Sequence, residues 1–201
     1  MYRLKPGVQL VLASASPRRQ RMLDDLGLTY SLAPAQVDES IRPGETAAAV
    51  AQRLARGKAA AAFVQWPGRV ILAADTVVAL GGEVLGKPVD RADARRMLRA
   101  LSGREHQVLT GYCLTWPGRE EVGLAESRVR FRPLMEAEIE AYLTSGEPMD
   151  KAGAYAVQGL AAAFVEEVAG SYTNVVGLPL SRVVDLLLRE GFIEPQGEAF
   201  R

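Results

Sequence analysis

Twelve residues, RVILAADTVVAL at 69–80, constrain this chain more than any others. An apolar run of that length, rich in β-branched residues, reads as a strand buried on both faces, so it needs covering layers on both sides. Its middle carries a polar pair, Asp75-Thr76. A carboxylate is costly to bury unless it is paired or holds a cation. Two readings follow. Either Asp75 marks a strand end facing solvent, or it is a metal ligand or general base at the mouth of a sheet, where ligand sites of α/β proteins tend to lie.

The flanking segments place this strand in a mixed α/β fold. VQLVLA (8–13) reads as a short buried strand. Ser16 then suits an N-cap, Pro17 the first helical position and Gly27 the residue past the helix end, with Met22, Leu23 and Leu26 as its apolar stripe. YSLAP reads as a second strand, and the Ala-rich stretch from about 46 to 65 as a long helix. Gly81-Gly82 signals a hairpin, and Asp90 caps a further helix. Two long alternating segments across Pro117-Gly118 form an antiparallel pair, and helices EAEIEAYLTSG and PLSRVVDLLLREG follow. Alternating strands and helices early, then antiparallel strands, predict a mixed sheet in one domain spanning 1–201.

Composition excludes several classes. With 48% hydrophobic and 24% charged residues the chain can bury a core. No run of eighteen apolar residues offers a membrane span, and the N-terminus lacks the apolar region of a secretory signal. One cysteine, Cys113, leaves no internal disulfide, and a reducing cytoplasmic setting is expected. One histidine, His106, rules out a zinc site with several His ligands. Net charge is zero, yet residues 1–70 carry ten Lys/Arg against five Asp/Glu. That imbalance suits a small anionic ligand and is too mild for nucleic acid.

Several segments could carry chemistry. In Ser14-Ala15-Ser16-Pro17-Arg18-Arg19 a helix N-terminus, two hydroxyls and two guanidiniums share one turn, which makes an oxyanion or phosphate cradle. The competing reading is a capped surface helix with solvated arginines. Gly81 to Lys87 matches much of a phosphate-binding loop, but Pro88 stands where a magnesium-holding hydroxyl belongs. Lys87 can still meet a phosphate as a point charge, and Glu83 can add a carboxylate. Asp38-Glu39 follows a strand, so one acid can face a cleft and the other water. Arg53 and Lys58 lie about 140° apart around a helix axis and on spacing alone are surface charges. Gln158, in a stretch of small residues, offers one acceptor and two donors, enough to read a base edge.

Taken in order, SASPRR, Asp38-Glu39, RLARGKA, AADTVV, GEVLGKP, LSGREHQVLTG, SGEPMDKAGAYAVQG and NVVGLPL closely resemble the Maf family over nearly the whole chain. The resemblance implies an elongated mixed β-sheet flanked by helices around a central cleft, like the inosine-triphosphate pyrophosphatase fold. It implies a nucleoside triphosphate pyrophosphatase that needs a divalent cation, Mg²⁺ or Mn²⁺, and forms a homodimer in the cytoplasm. Asp75 would be the general base or a metal ligand, and Glu39 would help hold the metal. Ser14, Ser16, Arg18, Arg19, Lys58 and Lys87 would bind the phosphates, while Thr76 and Gln158 tune base choice. The family's 7-methyl-GTP branch has an aromatic, a glutamine-type residue and a glutamate at the positions of Arg18, Thr76 and Gln158, so this chain is similar to the dTTP/UTP branch. Two alternatives stand beside this: the 7-methyl-GTP specificity, and a nucleotide-binding regulator of septum formation without turnover.

Overall fold

The computed structural model describes residues 1–197. The chain runs β1 (Tyr2–Leu4), β2 (Leu10–Leu12), α1 (Pro17–Asp25), β3 (Ser31–Leu32), α2 (Ala47–Gln65), β4 (Val70–Leu80), β5 (Glu83–Leu85) and α3 (Arg91–Leu101). It continues with β6 (Glu105–Trp116), β7 (Arg119–Phe131), α4 (Glu136–Thr144), β8 (Val165–Ala169), α5 (Tyr172–Val176), α6 (Leu180–Arg189) and β9 (Ile193–Pro195). Three 3₁₀ turns connect α4 to β8.

The main sheet has the order β3-β2-β4-β6-β7-β8, with β5 added to β4. β3, β2 and β4 are parallel to one another, and β6, β7 and β8 continue antiparallel, so the expected mixed sheet is present. β4 is covered on both faces as its apolar run requires. On one face Leu72, Ala74 and Val78 join Met22 and Leu23 of α1 and Leu98 of α3 in the larger core. On the other, Ile71 and Ala73 meet Ala55, Ala59 and Ala62 of α2. Alanines let that helix lie close, and Gly111 of β6 lets it lie closer still: a Cβ there would fall 2.2 Å from the Ala51 carbonyl oxygen. Trimming a fully buried contact such as Leu72 to alanine costs about 2–5 kcal/mol.

One detail of register opens the molecule. β4 pairs with β2 only over residues 70–72 and with β5 only over 78–80. Residues 73–77 therefore have one edge without a strand partner, at the carboxyl end of the parallel strands. There α1 leaves on one face while α2 covers the other, the place where open α/β sheets form crevices. Outside the main sheet, β1 and β9 pair with each other, a contact that no local pattern signals.

Candidate active site

A cleft of about 850 Å³ occupies this gap. Its lining includes Ser14, Ser16, Arg18 and Arg19, then Glu39, Lys58, Asp75, Thr76 and Lys87. Nine of the ten expected site residues thus meet in one cavity. Arg18 and Arg19 come from α1, Lys58 from α2, Asp75 and Thr76 from β4, and Glu39 from the loop after β3.

Successive strand residues point to opposite faces, so Asp75 and Thr76 build two sides of the cleft. On the α2 side Asp75 accepts a hydrogen bond from Lys58 Nζ at 2.5 Å. The same ammonium donates to Glu39 at 2.6 Å, and Lys87 reaches the other Glu39 oxygen at 3.1 Å. Lys58 and Asp75 are both only 12% exposed at the side chain. Burial pushes the Glu39 carboxyl up, but Lys58 and Lys87 outweigh it and hold the group below its ordinary value. Asp75 thus lies at neither a free strand end nor an unpaired burial. The expectation of surface charges fails for Lys58 and Arg53, because α2 turns both toward the loop of residues 38–45. Arg53 donates to Glu45 and to the Asp38 and Ser40 carbonyls, which fixes the loop bearing Glu39.

On the α1 side Arg19 donates to the Gly177 carbonyl at 2.7 Å, to Ser14 Oγ at 3.1 Å and to Thr76 Oγ1 at 3.2 Å. Arg18 donates to the Val176 carbonyl at 3.3 Å. Neither forms an ion pair among the described residues. Burial lowers the Arg19 pKa most, Asp75 opposes this, and neighbouring Arg18 adds to the lowering. A half-buried guanidinium that faces a cleft and bonds no carboxylate can receive an anion. Ser16 sits at the N-cap position of α1, but its side chain makes no capping bond. Its backbone N–H instead donates to Ser14 Oγ at 3.2 Å, so no capping side chain takes up the first-turn N–H groups at the cleft wall, where the helix dipole stands behind them.

The tenth, Gln158, and the further candidate Glu83 lie elsewhere. Glu83 pairs with Arg96 of α3 at 3.0 Å and does not line the cleft. Gln158 is exposed and absent from the lining, because burial alternates through this stretch: Tyr155 and Val157 turn inward, while Gln158 turns out. Tyr155 was not anticipated. Its hydroxyl meets His106 Nε2 at 2.9 Å and its ring packs on Phe131. Lone His106 is thereby a buried structural group, with burial lowering its pKa to about 4. No sequence period marked Tyr155, since it follows irregular turns.

Fold and cleft together define an α/β protein in which an arginine-bearing helix start and a carboxylate on the adjoining strand share one cavity. The family model described as Maf-like protein matches residues 9–190, and the chain belongs to that family. It is 55% identical over 188 residues to a protein named dTTP/UTP pyrophosphatase from Anaeromyxobacter sp. (strain Fw109-5), covering 91% of this chain and 90% of that one. Similar relatives of the same name occur in Hahella chejuensis (52% identity, 95% and 97% covered) and Symbiobacterium thermophilum (50% identity, 92% and 95% covered). Among solved structures, a HAM1 protein from Coxiella burnetii aligns with a TM-score of 0.49 and 17% identity, covering 90% of this chain and 99% of that one.

Proposed function

We propose that this protein hydrolyses dTTP and UTP at the α–β phosphoanhydride bond, releasing the nucleoside monophosphate and pyrophosphate. The observation that carries the reading is the placement of unpaired Arg19 and of Asp75 on the two sides of a single strand in one cleft. The names of the 50–55% identical relatives support it and favour it over the 7-methyl-GTP specificity and over a binder without turnover.

The anionic tail of the substrate is drawn to the start of α1. Arg18, Arg19, Ser14, Ser16 and the first-turn N–H groups donate to phosphate oxygens, which preorganises charge stabilisation for the transition state. Lys87 closes the cationic ring from the β5 side. Asp75 accepts the proton of the attacking water, oriented by Lys58, which donates to it. A divalent ion fits this donor set. Glu39 and Asp75 already converge on one positive point, the Lys58 ammonium, and two carboxylates completed by phosphate oxygens are an ordinary magnesium environment. Glu39 and Asp75 would hold Mg²⁺ or Mn²⁺, whose chemistry is to offset charge on the triphosphate. Thr76 faces the cleft as a base-reading group; Arg18 and exposed Gln158 belong to the same expectation.

The reading includes a homodimer and a cytoplasmic setting. The buried free thiol of Cys113 agrees with a reducing compartment, and no helix among the described residues is long and apolar enough to cross a membrane. The direct test is pyrophosphate release from dTTP and UTP with Mg²⁺ by the Asp75→Asn protein. A loss of at least ~10²-fold is expected; turnover near that of the unaltered protein removes Asp75 from the chemistry.

A further inference from the structure

Behind the cleft lies a hydroxyl, that of Thr110, that the chemistry above does not use. Thr76 and Thr110 are direct partners across β4 and β6, and their Oγ1 atoms are 2.9 Å apart. Thr110 is fully buried and lies outside the cleft lining. Its Oγ1 is also 3.0 Å from the Asn174 carbonyl oxygen.

The direction of every proton in this chain follows from what each group can do. A carbonyl only accepts, so Thr110 must spend its one proton on Asn174. Thr110 is then an acceptor toward Thr76, and Thr76 must spend its own proton on Thr110. On its remaining side Thr76 offers only lone pairs. One receives Arg19 Nη2 at 3.2 Å, and the other faces the cleft. The anchor does not swing, because the buried Asn174 amide donates to the Val108 carbonyl and to Ser127 Oγ, each at 3.0 Å, and Ser171 caps α5 through the Asn174 N–H.

We infer that Thr110 is a positioning residue for base selection, holding the Thr76 hydroxyl as a hydrogen-bond acceptor toward the cleft so that a pyrimidine with a protonated N3 is favoured. The inference rests on the base-reading role given to Thr76 above. Uracil and thymine carry N3–H, which can donate to Thr76. Cytosine has a lone pair at N3 and would face another lone pair, an arrangement that leaves two buried acceptors unmatched.

The test compares kcat/KM for UTP against CTP, and for dTTP against dCTP, with Mg²⁺, in the unaltered protein and in variants. Thr110→Val keeps the shape of the side chain and removes its acceptor, which frees the Thr76 proton to turn into the cleft. The CTP-to-UTP ratio should rise about tenfold, the scale of one neutral hydrogen bond, and Thr110→Ser should restore the original ratio. Thr110→Ala makes the same test if valine does not fold. Equal loss on both nucleotides with an unchanged ratio overturns the inference, since a purely structural role predicts that pattern. Thr76→Val separates the two levels. If it leaves the ratio unchanged, Thr76 does not read the base and the inference falls with that reading. If it moves the ratio while Thr110→Val does not, the inference alone fails.

Discussion

Two arginine-rich helices in this molecule use the same side chain in opposite ways. On α3, Arg91, Arg95 and Arg99 each meet Glu136 or Glu140 of α4, and Arg96 meets Asp93 and Glu83. These pairs are substantially exposed, and two of the glutamates fall below their ordinary value, Glu136 through its hydrogen bond from Arg99 and Glu140, to about 2, chiefly through its hydrogen bond from Arg95. On α1, Arg18 and Arg19 face backbone carbonyls and hydroxyls instead. A carbonyl can hold a guanidinium in position without neutralising it. The α3 charges are therefore neutralised within the fold, while Arg18 and Arg19 are held in place without a neutralising partner, at a cost in desolvation.

The comparison breaks first at Arg19. Arg19→Met should lower kcat/KM for dTTP and UTP by about 10²–10³-fold, while thermal denaturation shows a melting temperature unchanged or raised. A large drop in melting temperature would mean that Arg19 is a structural group like those of α3.

His106 sharpens the contrast, since it is a buried basic group kept neutral. Its folded pKa of about 4 lies below the ordinary 6.5, chiefly through burial. The neutral form is the stabilised one, so its contribution is complete above pH 6.5 and is lost as pH falls toward 4. The scale is on the order of 3 kcal/mol. Denaturant melts between pH 7 and 4.5 should show this decline, and His106→Gln should flatten it.

The smallest effect belongs to the exposed network. Glu140→Gln should shift the melting temperature by no more than about 3 °C and leave turnover unchanged, with the shift vanishing in high salt. A loss of turnover there would show that α3 and α4 do more than brace the surface.

Much of this was legible in the residues. The central strand, the long Ala-rich helix, the hairpin at Pro117-Gly118 and the α1 boundaries follow from local periodicity and turn chemistry. The meeting of SASPRR with Asp75 rested on resemblance, because a juxtaposition of α1 with β4 depends on strand order. What stayed hidden was long-range. Arg53 looked like a surface charge because its partners, the loop at 38–45, have no period. Thr110 and Asn174 sit in segments whose alternation says only that they are buried or not. Their hydrogen bonds span 64 to 66 residues, and no local pattern encodes such a distance. Ser16 does stand at the N-cap, as serine's propensity for that position suggests, but its side chain makes no capping bond and its backbone N–H is held by Ser14 Oγ two residues earlier.

The stretch of β4 at residues 73–77, open along one edge, has a consequence for how such a protein can vary. Its two functional side chains are neighbours in sequence and reach opposite walls only because a strand alternates. A single residue gained or lost ahead of Asp75 would exchange the walls, delivering the hydroxyl to Lys58 and the acid to Arg19. Point substitutions can retune this cleft by degrees, but a frame slip of one position inverts its polarity outright.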